Sequence, residues 1–171
     1  MNPLATAGAL TRTCHPAPTA AVTCFTTALG GAAGNGAGTC ALLAVAVLAG
    51  QLSIGWSNDR LDANRDRIAG RTDKPLATGE LSPRTAEAAI TVALLVTVAF
   101  SLSLGWRAGL LHLGAVGCGW AYNAWLKSTW LSWLPYAAAF GALPAIATLA
   151  RPGHPWPAVW AVAAGAMFGA A

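Results

Sequence analysis

The apolar positions of this chain fall into long unbroken blocks, not into alternating or striped patterns. A helix that crosses a bilayer needs roughly 20 consecutive apolar residues. Six such segments are read here: Thr19–Gly34, Thr39–Ser57, Ala86–Trp106, Gly109–Leu126, Leu131–Leu149 and Pro157–Ala171. A Gly/Asn loop, Gly34-Asn35-Gly36-Ala37-Gly38, separates the first two, and a long polar segment separates the second from the third. Ser82 and Pro83 give that third helix a side-chain cap and a proline at its first position. The Ala/Leu/Val/Gly runs lack the period-two alternation of barrel strands. The expected fold is therefore all-α, a polytopic transmembrane bundle of six spans forming one domain over residues 1–171.

Composition sharpens this picture. Hydrophobic residues make up 56% of the chain and charged residues 9%, against about 25% charge in a soluble domain. Intrinsic disorder needs the opposite balance. All six acidic residues and six of the ten basic ones lie between Asp59 and Glu87. Only Arg12, Arg107, Lys127 and Arg151 carry charge elsewhere. The net charge of +4 comes with no basic face or stripe, so no nucleic-acid partner is expected. Placing the charged 58–85 loop in the cytoplasm puts eight basic residues inside and two, Arg107 and Arg151, outside, as the positive-inside tendency requires. That orientation fits a multi-pass protein of a bacterial inner membrane. Arg12 and His15-Pro16-Ala17-Pro18 interrupt the amino-terminal apolar run, so it does not read as a cleaved signal. His112 and His154 fall at outer positions and read as surface histidines, and Trp56, Trp106, Trp130, Trp133 and Trp156 read as interfacial anchors. The cysteines show no zinc-ligand spacing.

The chemistry concentrates where the second span ends. In Asn58-Asp59-Arg60-Leu61-Asp62-Ala63-Asn64-Arg65-Asp66, a continuing helix puts Asn58, Asp62 and Asp66 on one face, with Asp59 joining the same rim. Like charges at this spacing repel, and a shared cation relieves the repulsion. Hard oxygen donors suit Mg²⁺, which takes a few carboxylates together with waters and substrate phosphates. Arg65, Arg67, Arg71 and Lys74 follow closely and suit a polyanionic diphosphate. The alternative is a solvated loop whose charges only fix topology, but topology gives no reason for carboxylates in helical register. Lys127 also reads as a snorkelling side chain, and Asn123 as a helix–helix hydrogen bond.

Asn58-Asp59-x-x-Asp62-x-x-x-Asp66, followed by Arg71-Thr72-x-Lys74-Pro75-Leu76-x-x-Gly79-x-x-Ser82, resembles the first aspartate-rich motif of the UbiA superfamily of intramembrane prenyltransferases, of the 4-hydroxybenzoate polyprenyltransferase kind. Tyr122-Asn123-x-x-Leu126-Lys127, Leu134-Pro135-Tyr136 through Gly141-x-x-Pro144, and Arg12 with His15-Pro16 extend the likeness over nearly the whole chain. The resemblance implies nine helices around a central cavity, where two aspartate-rich loops bind Mg²⁺ and a prenyl diphosphate. It implies Asn58, Asp59, Asp62 and Asp66 as metal residues, and Asn58, Arg71, Lys74, Tyr122 and Lys127 as diphosphate contacts. Asp62, Asp66 and Lys127 are the implied catalytic residues. The partners would be a prenyl diphosphate, a lipophilic acceptor and membrane lipids.

Two departures stand out. One residue, Asp73, separates the Arg-Thr pair from the Lys-Pro pair, where the family often has two. No Asp or Glu occurs after Glu87, so no second aspartate-rich loop is present. The expectation is a transferase that lacks its carboxy-terminal third, with a non-catalytic relative or a half-enzyme needing a second subunit as the alternative.

Overall fold

The structure, a computed structural model, describes residues 2–171. It consists of α1 (Pro3–Thr13), α2 (Pro16–Ala32), α3 (Ala37–Ile68), α4 (Pro75–Thr78), α5 (Pro83–Ser103), α6 (Trp106–Ala124), α7 (Leu134–Leu149) and α8 (Val159–Ala170). A 3₁₀ turn, Leu126–Ser128, links α6 to α7, and there is no strand among the described residues. The six apolar blocks correspond to α2, α3, α5, α6, α7 and α8. Of these, α3 and α5 are long and apolar enough to cross a membrane, and α7 and α8 are shorter apolar helices.

Two elements differ from the expectation. The first is α1, which precedes the first apolar block. Asn2 starts it by accepting from Leu4 N at 3.0 Å, and Pro3 occupies its first position. The second is the length of α3, which continues past its apolar part through the charged segment to Ile68. It is capped there by Arg65 and Arg67 in its last turn, where positive charge opposes the helix dipole.

The long helix α3 packs against α2, α5 and α6, and α7 lies across α6 and α8. One apolar core joins Leu43 and Val47 of α3 to Ala108 of α6 and to Leu143, Ile146 and Leu149 of α7. A second, smaller cluster at the charged end joins Ala9, Ala63, Leu76, Leu81 and Ala86. Gly55 permits the closest approach in this region. A Cβ there would lie 2.5 Å from the carbonyl oxygen of Cys14, so α3 and the α1–α2 turn meet backbone to side-chain-free backbone. Between α7 and α8, Gly165 faces the carbonyl of Phe140 in the same way. Pro144 has no N–H to offer that carbonyl, which leaves it free for this contact.

Candidate functional site

A cavity of about 500 Å³ opens at the charged end between α2, α3, α6 and α7. Asp62, Asn58, Ile54, Gln51 and Val47 line it from the mouth inward. Their spacing of three or four residues is one face of α3. The mouth is polar and the depth is mostly apolar, with Gln51 and His112 as its polar side chains, and the inner end abuts the main core through Val47 and Leu143.

Lys127 is delivered to the mouth by a break in the chain. Helix α6 stops at Ala124, Trp125 leaves helical geometry with φ −153°, and the 3₁₀ turn swings Lys127 toward α3. Its ammonium donates to both Asp62 oxygens, at 2.6 and 2.7 Å, and to Asn58 Oδ1 at 3.4 Å. Arg65 adds a 3.0 Å ion pair to Asp62 Oδ2. Tyr122 and Tyr136 line the same cavity, their rings edge to face with centroids 4.7 Å apart.

Asp59 faces elsewhere. It follows Asn58 by about 100° of helix rotation and points into the packing between α3, the α1–α2 turn and the start of α4. It is 1% exposed, and its Oδ1 accepts from Lys74 Nζ at 2.7 Å and pairs with His15 Nε2 at 3.0 Å. Burial pushes this carboxyl up, but the hydrogen bonds from His15 and Lys74 outweigh it and hold the group below its ordinary value. His15 itself stands at φ +54°, the left-handed region, and lines the cavity mouth. Arg71 forms a bidentate pair with Asp73 at 2.9 and 2.8 Å, which holds the Asp73 carboxyl down to about 2.

The structure therefore brings Asn58, Asp62, Tyr122 and Lys127 together at the cavity. Asp59, Asp66, Arg71 and Lys74 are not among its lining residues. Asp66 shares the Asn58–Asp62 face one turn beyond, and among the described residues no hydrogen bond reaches its carboxylate. Asn123 makes the helix–helix contact expected of it, donating to Ile54 O at 2.8 Å and Ser57 Oγ at 2.9 Å. His112 corrects the sequence reading. It is 3% exposed, lines the inner cavity and bonds Ser101 Oγ through Nδ1 at 2.7 Å. Gln51, which the sequence reading assigns no role, lines the cavity too, and the signal for both is a polar side chain inside an otherwise apolar span.

Among the described residues no three His, Cys, Asp or Glu side chains gather closely enough to hold a metal ion. The mouth suits a hard cation in a different way. Oxygens of Asn58 and Asp62 already converge on one cation, the Lys127 ammonium. Mg²⁺ needs only one or two carboxylates when waters and phosphates complete its shell.

A family model described as the UbiA prenyltransferase family matches residues 9–171, nearly the entire chain. Neither the curated proteins nor the solved structures give a match.

Proposed function

This chain belongs to the UbiA prenyltransferase family, and we propose that it carries a prenyl group from a prenyl diphosphate to an aromatic or related lipophilic acceptor. The observation that supports this reading is the Asn58–Asp62–Lys127 cluster at the mouth of a cavity whose depth is largely apolar. In such a reaction the C–O bond to the diphosphate breaks, and both electrons leave with the diphosphate. The prenyl cation then joins the acceptor, which gives up a proton. Lys127 is the residue that meets the developing negative charge, and Tyr122 borders the same space. Preorganised charge of this kind supplies most of the rate in many enzymes. The apolar depth keeps water from the cation.

Asn58 and Asp62 would hold Mg²⁺, with Asp66 one turn outward. The ion would neutralise diphosphate oxygens as the bond breaks. Asp59 and Lys74 serve this site as a partly buried pair that fixes the mouth of α3, while Arg71 stands at its outer approach. We place the charged end in the cytoplasm, where soluble diphosphates are met.

A second reading is favoured by the lack of any acidic residue after Glu87. On it, the chain is non-catalytic alone or acts with a second polypeptide that brings the other aspartate-rich cluster.

Purified protein in liposomes, supplied with Mg²⁺, radiolabelled geranyl or farnesyl diphosphate and a membrane lipid extract as acceptor source, tests both. Transfer to an extractable lipid is expected, and Asp62→Asn or Lys127→Met should each lower it by roughly 10²-fold. Full turnover in both variants removes this assignment. No transfer by the wild-type protein favours the second reading.

A further inference from the structure

The inner half of the cavity carries one polar feature that the mouth chemistry does not use. The His112 ring belongs to α6, is almost fully buried and has one protein partner among the described residues, Ser101 of α5. Ser101 Oγ has a single proton, and it also bonds the carbonyl oxygen of Thr97, four residues back on α5. A carbonyl only accepts, so that proton belongs to Thr97 O. His112 Nδ1–H must then donate to Ser101 Oγ. No carboxylate faces the ring, and an unpaired charge in this apolar surrounding is expensive. The imidazole is therefore the neutral Nδ1–H tautomer, and Nε2 keeps a bare lone pair. A Cβ at Gly50 would stand 3.4 Å from Nε2 and Cε1, so the glycine keeps that ring edge uncrowded. Nε2 is not among the sealed polar atoms without a partner, so this ring edge opens onto the cavity that His112 lines, and an apolar group that covered it there would leave an acceptor without a donor, which is costly.

We propose that His112 is a recognition point for a lipophilic ligand that bears a hydrogen-bond donor, an O–H or N–H, remote from its reacting end. Gly50 lies eight residues before Asn58 on α3, which at 1.5 Å per residue puts this point about 12 Å below the diphosphate cluster. A plain hydrocarbon tail gains nothing there and leaves Nε2 unpaired. A ligand with a donor at that depth is selected over one of equal shape without it. Ser101 acts as the positioning residue, since it fixes which nitrogen carries the proton. The inference rests on the proposed function only in calling the anchored molecule a substrate.

The test uses 4-nonylphenol and 4-nonylanisole, which share one frame and differ only in that a methyl group replaces the hydroxyl proton, on the full chain in detergent without metal or diphosphate. The protein has three histidines, so ¹⁵N-histidine labelling resolves each ring. The His112 Nε2 signal should be of the unprotonated type and should move on adding the phenol but not the anisole. The phenol should bind roughly fivefold more tightly than the anisole, a difference of the size of one hydrogen bond. His112→Phe should abolish that preference by weakening the phenol alone, and Ser101→Ala should reduce it. A protonated Nε2, an Nε2 signal indifferent to the phenol, or a preference that survives His112→Phe overturns the proposal. The wild-type spectra decide it even if a variant fails to fold. Prenyl transfer is not read in this experiment, so its presence or absence bears on the proposed function alone.

Discussion

Asp59 shows how little of a motif's spacing fixes a residue's role. It stands next to Asn58, yet one residue of helix turns it from the cavity wall into the packing, where Lys74 and His15 share its Oδ1. Its second oxygen is buried without a partner among the described residues. The expectation that Asp59 joins the Asn58–Asp62–Asp66 rim failed because a step of about 100° per residue separates neighbours on a helix. The expectation for Asn58 and Asp62 was readable because they are four apart. A carboxyl held below its ordinary value is more ionised in the folded protein than in the unfolded chain. Its stabilisation is therefore full above the ordinary carboxylate value of about 3.9 and drains away as pH falls below it. Asp59→Asn should cost about 2 kcal/mol at neutral pH, since it leaves the Lys74 ammonium without its partner in a partly buried place. It should also flatten the acid limb of the stability curve, measured by thermal unfolding in detergent between pH 6 and pH 3. The exposed Arg71–Asp73 pair contributes little to that limb, because solvent screens it. A variant with the wild-type acid limb would mean that Asp59 does not link these segments.

At the scale of elements, α3 organises the molecule, and its small residues decide how closely the others approach. Gly55 meets the Cys14 carbonyl directly, one residue before His15. A methyl group there forces the α1–α2 turn outward and lengthens the His15–Asp59 contact. Gly55→Ala should lose about 1–3 kcal/mol, the usual cost of overpacking, read by denaturant unfolding in detergent. Gly114→Ala is the control, because no atom of the described residues lies within 4 Å of its Cβ position. That change should be neutral or stabilising, since alanine is the better helix former by roughly 1 kcal/mol. Equal losses in the two variants would remove the close-approach account of Gly55. The helix positions themselves were legible, since long apolar blocks leave few alternatives to a helix. The end of α3 was not, because the Asn58–Asp62–Asp66 register carries the helix to Asp66 but no apolar block marks where it stops. Helix α1 was missed for a similar reason. Its eleven residues are too short for a span, and only the Asn2-Pro3 start identifies it.

At the scale of the whole molecule, the charges sort to opposite ends of the bundle. Arg12 with Glu80, Arg60 with Glu87 and Lys127 with Asp62 share one end. At the other, Arg151 donates to Gly34 O at 3.3 Å, and Arg107 stacks 5.3 Å above the Trp156 ring. This is the division that the basic-residue count predicted, although the count alone could not show that Lys127 closes onto Asp62 across 65 residues of sequence. Asn58 and Asp62 were readable from the register of one helix face, whereas Tyr122 and Lys127, brought from distant elements, were named only through the family resemblance. A single end rich in basic residues implies a single cytoplasmic face, and that orientation is testable apart from activity. In a cysteine-free background, a cysteine at Arg84 should resist a membrane-impermeant maleimide in intact cells and react after permeabilisation. A cysteine at Gly153, in the loop after α7, should react in intact cells. The reverse pattern would put the Asn58–Asp62–Lys127 mouth outside, away from soluble diphosphates. The expected pattern would tie topology to chemistry, because the positive charge that would orient the bundle also stands at the approach to the site that would receive a polyanion.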